Sequence, residues 1–102
     1  MSKYNNGVIY SIRFKDDDKH IYIGSTIQPL YKRFYEHKSN VSSLRNYIAE
    51  HYDYKWDLCY IELLEKFPCS CRQELEKREG ELIREYKKNP DYILINTRKL
   101  YI

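Results

Sequence analysis

The sequence lacks any long apolar run. No stretch approaches the roughly 18 consecutive apolar residues that a membrane-spanning helix needs, so a chain that does not cross a bilayer is expected. The opening residues, Met1-Ser2-Lys3-Tyr4-Asn5-Asn6, have no apolar centre of the kind that marks a secretory leader. An intracellular protein follows as the expectation. Cysteine is scarce: Cys59, Cys69 and Cys71 make an odd set without paired C-x-x-C spacing. That supports neither a disulfide framework nor a zinc site, and free thiols are expected. There is no internal repeat and no linker composition. With 102 residues the chain has room for one domain and not two.

What is present is charge and tyrosine. The net charge is only +3, but it is unevenly spread. Residues 1–50 hold eight Lys/Arg against five Asp/Glu, whereas residues 51–102 hold ten of each. Lys32, Arg33, Lys38 and Arg45 gather around His37, with Glu36 the local offset. A basic patch beside aromatics points to a polyanion such as nucleic acid; a solvated helix face accounts for the same charges equally well. The twelve tyrosines suit strands and half-buried positions, and their number alone identifies no site.

Gly7 to Phe14 alternates, placing Val8, Tyr10, Ile12 and Phe14 on one face of a strand. Lys15 to Lys19 reads as a charged turn, and Ile21-Tyr22-Ile23 as the returning strand of a hairpin. If that turn centres on Asp16 or Asp17, Tyr10 and Tyr22 stand opposite or diagonal on one face. A slip of one residue would separate them. Gly24 closes the second strand and permits a close backbone approach. Gln28-Pro29 opens a helix on which Leu30, Phe34 and Lys38 form one stripe, and Arg33 and His37, four apart, share a face. A second helix fits Ser43 to Tyr52, capped by Ser42 or Ser43, with Leu44, Tyr47, Ile48 and Tyr52 as its apolar side. Trp56 to Leu64 is apolar on both faces and reads as a central strand. Ser70 to Gln73 has the capping-box spacing for a long helix to about Lys87, stopped by Asn89-Pro90. Tyr92 to Asn96 is a short extended segment.

In that last helix Leu75, Leu82, Ile83 and Tyr86 form a core stripe, and Glu79 sits in the middle of it. An inward carboxylate is costly unless it is paired or bound to a cation. A salt bridge to an arginine, or an edge position reaching water, is the structural alternative.

Taken together these positions resemble the GIY-YIG nuclease superfamily, whose members include homing, restriction and repair endonucleases. Its first motif is similar to Val8-Ile9-Tyr10, preceded by Gly7, and its second to Tyr22-Ile23-Gly24. Its helix arginine corresponds to Arg33, its histidine to His37, its metal-binding glutamate to Glu79 and its late asparagine to Asn96. The resemblance spans about Gly7 to Asn96. It implies an α+β fold, an α/β/α sandwich built on a small three-stranded, mainly antiparallel sheet flanked by about three helices. It also implies a single nuclease domain over residues 1–102 that hydrolyses DNA phosphodiester bonds.

Such hydrolysis needs an activated water, neutralised phosphoryl oxygens and help for the departing 3′ oxygen. The resemblance assigns Glu79 to one Mg²⁺ or Mn²⁺, and Tyr10 to the attacking water as a base or a positioning group. Arg33 goes to the phosphate, with a planar fork suited to it. Tyr22 orients water or phosphate, His37 shares a proton or contacts phosphate, and Asn96 orders the site from behind. Gly24, Ser25, Lys32 and Lys38 are the expected substrate-binding positions. Duplex or branched DNA is the implied partner. The larger members append DNA-binding domains that these 102 residues have no room for, so target specificity is expected from a homodimer, from a larger partner or from the rest of a longer protein. The competing reading keeps the fold and drops the catalysis: a nucleic-acid-binding or protein-interaction module.

Overall fold

The structure is a computed structural model that describes residues 3–39, 43–53 and 55–96. After a short 3₁₀ turn at Lys3–Asn6, β1 (Val8–Phe14) and β2 (Asp17–Thr26) form an antiparallel hairpin. Two helices follow, α1 (Leu30–Ser39) and α2 (Ser43–Tyr52). A second 3₁₀ turn leads into β3 (Cys59–Lys66), then α3 (Arg72–Lys88) and β4 (Ile93–Leu94). The strand order is β3-β1-β2-β4.

The period-2 pattern of β1 decides the layering. Tyr10, Ile12 and Phe14 point to one face, where they pack with Leu44 and Ile48 of α2. Tyr22, Leu30 and Phe34 are packed against the same cluster. Ile9 points to the other face and joins Ile21 and Ile23 of β2 with Leu75, Leu82 and Ile83 of α3. Ile9, Ile12, Ile21 and Ile23 have no exposure to water, and each such side chain contributes about 1.5–3 kcal/mol of burial. The expected sandwich is therefore the observed one, with α1 and α2 on one side and α3 on the other.

Four details differ from the sequence expectation. The sheet has a fourth strand, because β4 pairs parallel with β2 at His20↔Ile93 and Ile21↔Leu94. β3 begins at Cys59, after Trp56–Leu58 coils into the 3₁₀ turn, and it lies at the edge rather than the centre. Its two-sided apolar pattern reflects packing on both faces, with Ile61 on the α1/α2 cluster and Leu64 on the α3 cluster. β2 starts at Asp17 and runs through Gly24 to Thr26, so the tight turn is only Lys15-Asp16. The surplus residues of β2 bulge between Phe14↔Asp17 and Ile12↔Tyr22, and Asp17 Oδ1 holds the bulge by accepting from Lys19 N at 2.9 Å. Arg13 Nη2 donates to Asp18 O across it at 2.7 Å.

At α3 the expected capping box is replaced. Cys71 is the N-cap and makes no side-chain cap, while Glu74 accepts from Ser70 N at 2.7 Å. The expected caps of α2, Ser42 and the Ser43 side chain, lie outside the described residues. Among the described residues no helix is long and apolar enough to cross a membrane.

Candidate active site

The hairpin register places the two motif tyrosines. Tyr10 pairs with Gly24 and Ile12 with Tyr22, so Tyr10 and Tyr22 are diagonal neighbours on the face covered by α1. That is the register of a turn centred on Asp17. Gly24 is required here by space, since its φ is not positive. The Tyr10 ring lies over it, and a Cβ at Gly24 would come within 2.6 Å of Tyr10 Cζ. The glycine after Tyr22-Ile23 is thus the seat of the tyrosine from the neighbouring strand.

Helix α1 delivers the polar partners. Pro29 O accepts from Lys32 N and Arg33 N, fixing the first turn. One turn apart, Arg33 and His37 then straddle the Tyr10 hydroxyl. Arg33 Nε donates to it at 3.1 Å, and His37 Nε2 lies 2.7 Å away. An Arg Nε–H can only donate, so the Tyr10 oxygen accepts from Arg33, and the His37 tautomer sets which partner donates in the second bond. The Tyr22 ring meets the His37 ring edge-on, with centroids 5.3 Å apart.

Burial fixes the charges in this group. Tyr10 has no exposure, and desolvation raises its pKa well above the usual phenol value, only partly opposed by the Arg33 cation. Desolvation, helped by Arg33, pushes His37 down to about 4. Both are neutral at pH 7. Arg33 itself loses from burial, but Tyr10 and Glu36 beside it outweigh that and raise its pKa.

Across from this group stands α3. Glu79 Oε1 accepts from Ser25 Oγ at 2.5 Å, tying β2 to α3. Tyr10, Tyr22, Gly24, Ser25, Arg33 and Glu79 all line one cleft of about 320 Å³. Asn96 lies outside it. Its amide pairs twice with the backbone of Ile23, accepting from N at 3.0 Å and donating to O at 2.8 Å. This continues the β4 ladder by a side chain and holds β2 between Tyr22 and Gly24. His37 sits behind Tyr10 rather than on the cleft wall. Lys32 and Lys38 line a different hollow, on the opposite flank of α1.

The cleft includes residues that the sequence reading did not select: Tyr4, Gln28, Glu36, Arg72 and Glu76. Glu36 pairs with Arg33 at 3.0 Å. Arg72 and Glu76 pair at 2.9 Å on the outer wall. Positions 72, 76 and 79 share a helical face, a signal that was available in the sequence. The approach of Tyr4 depends on the chain fold, where Tyr4 O accepts from Gly7 N and Cys69 N.

The side-chain oxygen donors on this cleft are carboxylate, hydroxyl and amide groups, with no thiol or imidazole among its lining residues. Among the described residues no group of three or more His, Cys, Asp or Glu forms a cage. One or two carboxylates beside a place for phosphate is the set that suits Mg²⁺ or Mn²⁺, which keep several waters. The residues present therefore fit such an ion.

The profile of the family described as the GIY-YIG catalytic domain matches residues 6–93. Among solved structures, the catalytic domain of homing endonuclease I-TevI superposes with a TM-score of 0.61 at 22% identity, covering 88% of this chain and 98% of that one. At that identity the likeness is one of fold. No curated protein matches the sequence.

Proposed function

The chain belongs to the GIY-YIG family, and from that premise we propose that it is an endonuclease that hydrolyses DNA phosphodiester bonds with one Mg²⁺ or Mn²⁺ held by Glu79. The observation that carries this reading is the Tyr10 hydroxyl, clamped between Arg33 and His37 in a cleft whose opposite wall is Glu79. When bound, the ion supplies positive charge to the scissile phosphate and to the departing 3′ oxygen.

The chain's own groups do the rest. Arg33 exchanges its contact with Glu36 for a phosphoryl oxygen and remains a donor to Tyr10. A standing phenolate is not available, because burial keeps Tyr10 protonated. Tyr10 acts instead as a positioning group. Its oxygen orients the attacking water, whose proton leaves to solvent as its oxygen bonds to phosphorus and the bond to the 3′ oxygen breaks. The departing oxygen is protonated from solvent. Neutral His37, held down to about 4 by burial and by Arg33, keeps the Tyr10 hydroxyl in place. Asn96 is a positioning residue: it fixes the Ile23 backbone between Tyr22 and Gly24.

One cleft cuts one strand. A double-strand break requires a second chain or a second encounter. With a net charge of +3, unassisted duplex binding falls in the roughly 10⁻⁴–10⁻⁶ M non-specific range and weakens with salt.

Single-turnover cleavage of a panel of linear, nicked and branched DNA with Mg²⁺ or Mn²⁺ tests the proposal. Glu79→Ala is expected to abolish cleavage while the far-UV circular dichroism stays native. Full Mg²⁺-dependent activity in that variant would overturn the role of Glu79. Binding without cleavage by the wild type would favour the non-catalytic module.

A further inference from the structure

The flank of α1 turned away from the cleft carries chemistry that the reaction does not use. Tyr31 and Tyr35 are 73% and 70% exposed, more than any other large hydrophobic side chain among the described residues. They are four residues apart and so form one surface. With Lys32, Phe34, Lys38 and Ile61 they line a hollow of about 480 Å³. Lys38 Nζ stands 4.7 Å from the centroid of the Phe34 ring. No acidic residue lines this hollow, although acids are nearly as frequent as bases in the chain. Its polar complement is therefore an anion, and its exposed rings want a flat apolar partner.

We propose that this flank is a stacking platform for the unpaired bases of a single-stranded DNA segment adjoining the cleaved bond. Two ring faces with two lysines match a strand of alternating bases and phosphates, and stacking on tyrosine is open to any base. A duplex already spends its base faces on its own stack, so only unpaired bases can use the platform. A helix is about 10–12 Å across, which puts the platform some two nucleotides from Arg33 on the cleft side. This assignment of the strand's position rests on the endonuclease reading. It adds to that reading a substrate class: DNA in which a single strand leaves the duplex near the scissile phosphate.

The experiment uses the full chain in EDTA, so that no cleavage intervenes. Fluorescence anisotropy compares a labelled 12-nucleotide oligothymidylate with an abasic oligomer of equal length and charge. The oligothymidylate is expected to bind at least about tenfold more tightly. Tyr31→Ala/Tyr35→Ala is expected to bring the two affinities together, and Tyr31→Phe/Tyr35→Phe to keep them apart. Both side chains are exposed, and a thermal melt of each variant checks its fold. Equal affinities in the wild type, no binding of either oligomer, or a preference that survives the double alanine change would each overturn the platform. So would a sedimentation result in which the double alanine change dissolves a dimer and leaves the DNA preference intact. The nuclease reading fails separately: a chain that prefers bases over bare backbone but never cuts DNA with Mg²⁺ or Mn²⁺ keeps the platform and loses the reaction.

Discussion

The two walls of the cleft are built on opposite terms. The wall made by β1, β2 and α1 is dry where it matters. Tyr10 is fully buried, His37 is nearly so, and Arg33 reaches them from a half-buried position. The wall made by α3 is wet, with Arg72 and Glu76 exposed and Glu79 half-buried. On the dry wall, desolvation decides which groups carry charge, because water is not there to compete. On the wet wall charges are cheap, and a hydrated cation can reach a carboxylate without stripping its shell. A hydrolytic site gains from both: one side to hold polar groups in a fixed protonation state, and one side to admit an ion with its waters.

Substitutions on the two walls should therefore fail in different ways. The largest effect after loss of Glu79 is expected at Arg33, the proposed phosphate donor in the cleft that Glu79 also lines. Arg33→Ala should lower the single-turnover rate by roughly 10²–10³, by analogy with the loss of one transition-state donor. An unchanged rate would remove Arg33 from the reaction. Gly24→Ala should damage the dry wall as a structure. The added methyl meets the Tyr10 ring, so destabilisation of about 1–3 kcal/mol is expected from overpacking, together with loss of cleavage. A normal denaturation midpoint with normal activity would mean that the ring moves aside at no cost.

The third prediction concerns pH. His37 titrates near 4 when folded and near 6.5 when unfolded. Between those values the unfolded chain binds more protons, so stability rises with pH across that window. The contribution is fully present above about 6.5 and is lost as pH falls towards 4, a change on the order of 2 kcal/mol. Denaturant melts between pH 4 and 7 should show it, and His37→Gln should flatten the curve. A wild-type curve as flat as that of the variant would contradict the buried neutral imidazole. The smallest effect is expected beside the wet wall. At Gly80 a Cβ would meet only the flexible Arg84 side chain, at 3.5 Å. Gly80→Ala should then raise stability by about 1 kcal/mol through helix propensity. A loss of stability in a thermal melt would reveal a packing demand on that glycine.

Local pattern made much of this legible. The alternation of Val8 to Phe14 gave the two faces of β1, and the 3.6-residue spacing of α3 put Glu79 beside Leu75, Leu82 and Ile83. The spacing of Arg33 and His37 placed them together on α1. Less legible was anything that depended on a neighbour distant in sequence. β3 carries apolar residues on both faces whether it is central or at an edge, because edge position concerns hydrogen bonds and not side chains. β4 is two residues long and pairs only because α3 returns the chain to β2. Gln73 had the spacing of a capping residue, yet Glu74 made the contact, since such reach depends on the entry angle of the chain. Lys32 and Lys38 belonged to the basic patch by composition, but one flank of α1 faces the cleft and the other carries both lysines.

By itself the sequence determined which residues had to travel together: those whose spacing matched the period of one strand or one helix. Those relations are local, and backbone geometry alone enforces them. The tertiary structure decided which of those groups meet across the cleft. It seated the Tyr10 ring on Gly24, set His37 behind the phenol, brought Ser25 to Glu79, and folded Asn96 back onto Ile23. These are contacts between residues as many as 73 positions apart, and only the packing of helices on both faces of the sheet brings such pairs within reach.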